Sequence, residues 1–119
     1  MSDTTRKYLL LAVRVFLTLA FAAAGLAKLM GVQMLVDEFA LIGVGQWFRY
    51  VTGIIELGSA IVLWVPGYAA YAAGLLVCTM IGALVAHATV LGLATAPPAV
   101  VLGVLAAVTL YVNRAQLQR

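Results

Sequence analysis

A chain of 119 residues that is 66% hydrophobic and only 9% charged, with a mean hydropathy of +1.14, cannot clothe a soluble globule and reads as an integral membrane protein. Its formal net charge of +3 gathers at the two ends of the chain, where it acts as a topology signal and an attraction to membrane lipid; nothing resembles a nucleic-acid-binding surface. The single cysteine, Cys78, excludes an intramolecular disulfide, a CxxC redox pair and a thiolate metal cluster.

The first apolar run covers residues 8–27 and is interrupted only by Arg14. About 20 residues at about 1.5 Å each cross a hydrocarbon core of about 30 Å, so the length fits a membrane span. A cleavable signal sequence competes with this reading, because Arg6 and Lys7 precede the run and Ala22-Ala23-Ala24 imitates a cleavage site, but Arg14 breaks the hydrophobic region such a sequence needs. Residues 32–48 then mix Met34, Leu35 and Phe39 with Asp37 and Glu38, as expected of a short amphipathic helix with its acids towards water and its apolar side on the membrane surface. Gly43 and Gly45 loosen the backbone before Trp47, Phe48 and Tyr50, an interfacial aromatic belt. A second span over residues 49–65 stops at Pro66-Gly67, a third covers 68–91, and Pro97-Pro98 opens a fourth over 97–113, since proline fits the first turn of a helix. The expected fold is all-α: an integral membrane four-helix bundle, one domain over 1–119, with a short amphipathic loop helix between helices 1 and 2.

Arg6, Lys7, Arg114 and Arg119 flank one face of such a bundle, and Lys28 and Arg49 the other. The positive-inside rule therefore places both termini in the cytoplasm of a multi-pass protein of a bacterial-type inner (plasma) membrane. Tyr8, Trp64, Tyr68, Tyr71 and Tyr111 would form the cytoplasmic aromatic belt, and the loop carrying Asp37, Glu38, Trp47 and Arg49 would face outwards.

A charge in hydrocarbon costs at least about 2.5 kcal/mol, which makes Arg14, Lys28, Glu56 and His87 the candidate ligand-binding or structural polar cluster. At the helical rise, Glu56 lies about 10 Å and His87 about 6 Å below the outer surface, Lys28 sits at the outer end of the first span, and Arg14 is about 9 Å in from the cytoplasmic end. Glu56 reads either as a titrating carboxylate or cation site or as a clamp paired with Arg14 or Lys28. His87 reads as a hydrogen-bonded packing residue or a ligand, with no second histidine to help hold a metal. Lys28 is expected to anchor its ammonium in the headgroups, and Arg14 either to snorkel to the inner surface or to reach Glu56. Gly25, Gly53, Gly58, Ala69, Ala73, Gly82, Ala86, Gly103 and Ala107 recur at helix-contact spacing, which serves internal packing and homo-oligomer formation equally well. Cys78 and Met80 read as apolar filling.

Three segments together carry a resemblance. Phe21-Ala22-Ala23-Ala24-Gly25-Leu26-Ala27-Lys28, Thr52-Gly53-Ile54-Ile55-Glu56-Leu57-Gly58 and Gly82-Ala83-Leu84-Val85-Ala86-His87 resemble, in order and spacing, the DoxX family of small four-helix membrane proteins, with Arg14 at the position of the family's first-helix arginine. The resemblance implies a link to the small subunit of a quinol-oxidising thiosulfate oxidoreductase. The sequence itself offers no haem ligand pair, flavin motif or redox-active cysteine pair, so no catalytic residue is assigned. The expectation is a non-catalytic membrane subunit or assembly partner of a redox-related complex, with quinone or lipid as candidate ligand of an outer-half cavity. That cavity is bounded by Lys28, Glu56 and His87, capped by the loop and supported from below by Arg14. The alternative is a small proton-coupled multidrug-type exporter using Glu56, against which stand the basic Arg14 and Lys28 in the first span.

Overall fold

In the computed structural model, which describes residues 2–118, helix α1 (Asp3–Met30) starts where the Ser2 hydroxyl accepts the Thr5 amide hydrogen. It ends at Gly31, whose φ of 73° lets the Gly31 and Val32 amides turn back onto the carbonyls of Lys28 and Ala27. Helix α2 (Gln33–Ile42) follows at once and stops at Gly43, again left-handed at φ 82°. Helix α3 (Gln46–Val62) leads through a turn with Gly67 at φ 86° to helix α4 (Ala69–Ala86). A π-helical turn over His87–Leu91 and a 3₁₀ turn over Leu93–Thr95 connect α4 to helix α5 (Pro97–Val112), which has its prolines in the first turn. A last 3₁₀ turn covers Arg114–Gln118.

The all-helical expectation holds, and the loop helix forms where the amphipathic pattern placed it. Where the second span is expected, the helix begins at Gln46, before Arg49: Gly45, at φ 121°, ends the preceding turn, and Gln46 ties back by a 3.0 Å bond to the Val36 carbonyl. Where the third span is expected, one helical stretch runs over Ala69–Leu91, its α-helical bonding giving way to a π turn at His87. Two helical stretches, Asp3–Met30 and Ala69–Leu91, are long and apolar enough to cross a membrane; α5 is a shorter apolar helix, and α3 has 17 residues.

The packing is uneven. Helix α1 contacts α3 most extensively and α4 contacts α5 nearly as much, whereas the α3/α4 and α1/α5 seams are thinner. The interior is built largely from small side chains, Ala60, Ala72, Ala73, Ala99 and Ala106 around Leu17, Phe21, Leu63 and Leu76. Leu19, Ile54, Ile61 and Ile81 instead point outwards and are more than half exposed. Small inside and large outside is the reverse of a water-soluble core and is how helices pack when the surroundings are as apolar as the side chains. Met80 is buried as expected; Cys78 is exposed.

The tightest crossing lies between α1 and α3. A Cβ on Gly25 would stand 2.8 Å from the Gly53 carbonyl oxygen and the Leu57 amide nitrogen, and one on Gly53 would meet the Gly25 carbonyl at 3.0 Å and Lys28 Cβ at 3.1 Å. Each glycine thus makes room for the other helix's backbone, and the two helices run antiparallel across this point.

Candidate functional site

Lys28 is one turn beyond Gly25, and Glu56 one turn beyond Gly53, so the glycine crossing brings both side chains to the same interface. In any α-helix the Cα–Cβ bond tilts towards the N-terminus. Because α1 and α3 are antiparallel, that tilt directs Lys28 back down α1 and Glu56 back along α3, towards each other. Their Nζ and Oε1 atoms lie 2.6 Å apart, with the side chains 14% and 2% exposed. The expectation of a headgroup anchor for Lys28 is therefore corrected: a lysine near the C-terminal end of α1 is aimed into the bundle, where the carboxylate takes it. Beyond Lys28, Oε1 of Glu56 has no partner among the described residues, which leaves it acceptor capacity for a ligand donor.

The ion pair forms one wall of a cavity of about 480 Å³, a volume usual for small-molecule sites, that opens along the thin α3/α4 seam. Ile55 and Thr52 from α3 and Met80, Ala83 and Ala86 from α4 line its length. Phe39 and Ile42 of α2 close one end, together with Phe48, against which Phe39 packs edge-on at a ring separation of 5.9 Å. The π turn, which packs against α2, adds His87, Thr89 and Leu91 to the lining. Most of the lining is apolar.

His87 lines this cavity and is fixed through Nδ1, which lies 2.8 Å from the Thr95 hydroxyl and 3.3 Å from the Gly92 carbonyl. Thr95 also donates to that carbonyl at 3.1 Å. A carbonyl can only accept, so this set is satisfied with the ring proton on Nδ1, which leaves Nε2 of the neutral ring as an acceptor. Thr95, eight residues on from His87 and outside any regular pattern, has no signal in the sequence that would pair it with the histidine.

The loop residues divide. Asp37 is exposed and accepts from Gln33 at 2.8 Å, and Trp47 is exposed with its indole donating to the Val44 carbonyl at 3.1 Å. Glu38 departs from the expected water-facing position: it is half-buried and contributes to the cavity wall, because α2 folds over the end of the α3/α4 seam and not flat beside the bundle. Arg49 departs further. It is 5% exposed, its Nε donates to Gln46 Oε1 at 2.8 Å, and Nη1 donates to the Lys28 carbonyl. A cation on the C-terminal carbonyls of α1 complements the helix dipole. Arg49 is therefore a structural cap that fixes the turn from which Lys28 projects, and not a headgroup anchor. Replacing it with methionine removes a charged hydrogen bond and should cost about 1.5–3 kcal/mol, read as a lower Tm in detergent. Lysine should recover little, since a point charge cannot reproduce the guanidinium's fork onto two acceptors.

Arg14 does not join this cluster. Its guanidinium lies 5.3 Å from the ring centroid of Trp64, and the Trp64 indole is in turn held by a 2.7 Å bond to the Thr18 hydroxyl. The same N-terminal tilt that sends Lys28 into the bundle sends Arg14 away from Glu56, so the expected support from below is absent.

Set against families of known proteins, the chain matches the model of the DoxX-like family over residues 12–109, a range that contains Arg14, Lys28, Glu56 and His87. No curated protein and no solved structure matches it.

Proposed function

The chain belongs to the DoxX-like family, and from that premise we propose that it is a non-catalytic membrane subunit or assembly partner of a redox-related complex, holding a quinone or a lipid in the cavity beside Lys28 and Glu56. Family membership and the two long apolar helices indicate a membrane protein. In the fuller reading, α1, α3, α4 and α5 all cross a bacterial-type inner membrane, both termini are cytoplasmic, and α2 lies at the outer surface. The outward-facing large apolar side chains and the 46 Å long axis support this, since a bilayer with its interfaces is about 40–45 Å thick. Tyr8, Trp64, Tyr68, Tyr71 and Tyr111 are all exposed, as an interfacial belt requires.

The observation that carries the ligand reading is the buried ion pair in the wall of a mostly apolar cavity. Lys28 offers hydrogens to a carbonyl, His87 Nε2 and Glu56 Oε1 can accept from a hydroxyl, and the apolar seam suits a tail. Those are the donors and acceptors that the head of a quinone or quinol needs. The chain has one cysteine and one histidine, so the carriers that would exchange electrons with such a ligand belong to a partner. The exporter reading is weaker, because the carboxylate that would recruit an organic cation is already paired with a cation of its own chain.

Mass spectrometry of the gently solubilised protein tests the proposal by recording co-purifying polypeptides and small molecules. A stoichiometric quinone or defined lipid that is lost in Glu56→Ala is the expected result. A protein that emerges alone, with bulk lipid identical in wild type and variant, removes the ligand site and the redox assignment together.

A further inference from the structure

We propose that a second site, at the other end of the bundle, binds the phosphate of an anionic phospholipid between Lys7 and Arg14. The site is a cleft of about 350 Å³ between α1 and α5, lined by Lys7, Leu10, Leu11 and Arg14 on one side and by Thr109, Val112 and Asn113 on the other. On α1, Lys7 and Arg14 each stand three or four residues from Leu10 and Leu11, so the four form a single stripe of the helix. The cleft lies along one of the thin seams of the bundle, where α1 and α5 pack less closely than either does with its main partner.

Charge selects the occupant. Among the described residues, two cations line the cleft and no carboxylate does. Among the described residues, the one ion pair is Lys28 with Glu56, and the Arg14 guanidinium makes a ring contact with Trp64 but no hydrogen bond. An arginine inside an apolar run, with five donors and no acceptor, pays the full cost of its position unless an anion supplies the missing bonds. Lys7 stands one heptad, about 10 Å, before Arg14 on the same helix, and both cations line the cleft. Trp64, pinned by Thr18, braces the guanidinium from the side. Leu10, Leu11 and Val112 present the apolar surface that an acyl chain needs and a free anion does not.

The site rests on the membrane-spanning reading but not on the ligand proposed for the Lys28/Glu56 cavity. It is tested by reconstituting the full chain in vesicles of phosphatidylglycerol and phosphatidylcholine, re-extracting it gently and weighing the intact complexes. The wild type is expected to retain one phosphatidylglycerol. Lys7→Gln/Arg14→Gln should retain it about 30-fold less, the equivalent of about 1 kcal/mol for each of two surface cations. Lys7→Gln alone, an exposed change that leaves the packing untouched, should lose about fivefold by the same arithmetic. Arg14→Lys, which keeps the charge, should retain the lipid. Undiminished retention in the double variant overturns the site, and displacement by inorganic phosphate overturns the lipid in favour of a free anion. If carbonate strips the chain from the vesicles, the membrane reading falls and takes the site with it; a firmly inserted chain with no lipid preference overturns the site alone.

Discussion

Glu56→Ala is expected to destabilise the protein by about 3–5 kcal/mol, because it leaves the largely buried Lys28 side chain with nothing to neutralise its charge. The informative comparison is the double replacement Lys28→Met/Glu56→Leu. Removing both charges also removes both desolvation costs, and well-packed apolar residues in place of a buried ion pair are commonly neutral or stabilising by about 1–4 kcal/mol. Thermal unfolding in detergent across the four members of this cycle should therefore show two poor single variants and a double variant close to the wild type. If the double variant is also free of the co-purifying ligand, the pair is retained for binding and not for stability. A double variant as unstable as Glu56→Ala would instead make the pair an architectural clamp, and the cavity would lose its strongest claim to function.

Gly25→Ala is expected to have the second large effect, although it adds a single methyl group. That methyl would sit 2.8 Å from two backbone atoms of α3, the Gly53 carbonyl oxygen and the Leu57 amide nitrogen, and backbone in the middle of a helix cannot step aside as a side chain can. The helices must separate, at a cost of about 1–3 kcal/mol for overpacking. Separation also draws Lys28 away from Glu56, so the Tm and the retention of any cavity ligand should fall together. Gly82→Ala is the control. A Cβ there meets nothing within 4 Å, and alanine is the better helix former, so that variant should match or exceed the wild type in Tm. If Gly25→Ala proves as stable as Gly82→Ala, the close α1/α3 crossing is not present in the folded protein.

The two experiments probe one device from different sides. The glycine crossing sets the distance between α1 and α3, the antiparallel tilt of Cβ atoms turns a lysine and a glutamate towards each other, and Arg49 holds the turn after Lys28 in place. The open α3/α4 seam then supplies the space beside the pair that α1 and α3, packed so closely, could not.

Much of this was legible in the sequence. Hydropathy and the Pro-Gly and Pro-Pro breaks showed where the long helices lie, although α1 extends beyond its apolar run at both ends, because apolar length and backbone-breaking residues are local properties. The cost of charge in hydrocarbon picked out Lys28, Glu56 and His87, all of which line one cavity. The small-residue spacing flagged Gly25 and Gly53 individually, but not that they face each other. What only the tertiary structure decided depends on direction and partner. Which cation Glu56 meets followed from the antiparallel crossing of α1 and α3. That Arg49 is buried followed from the left-handed turn at Gly31, which leaves the Lys28 carbonyl where a residue on α3 can reach it. Glu38 turned inwards because α2 folds over the seam, and Arg14 was separated from Glu56 by the same helical tilt that brought Lys28 to it. Composition and periodicity record where along a helix a charge lies, while its orientation and its neighbour are set by how the helices cross.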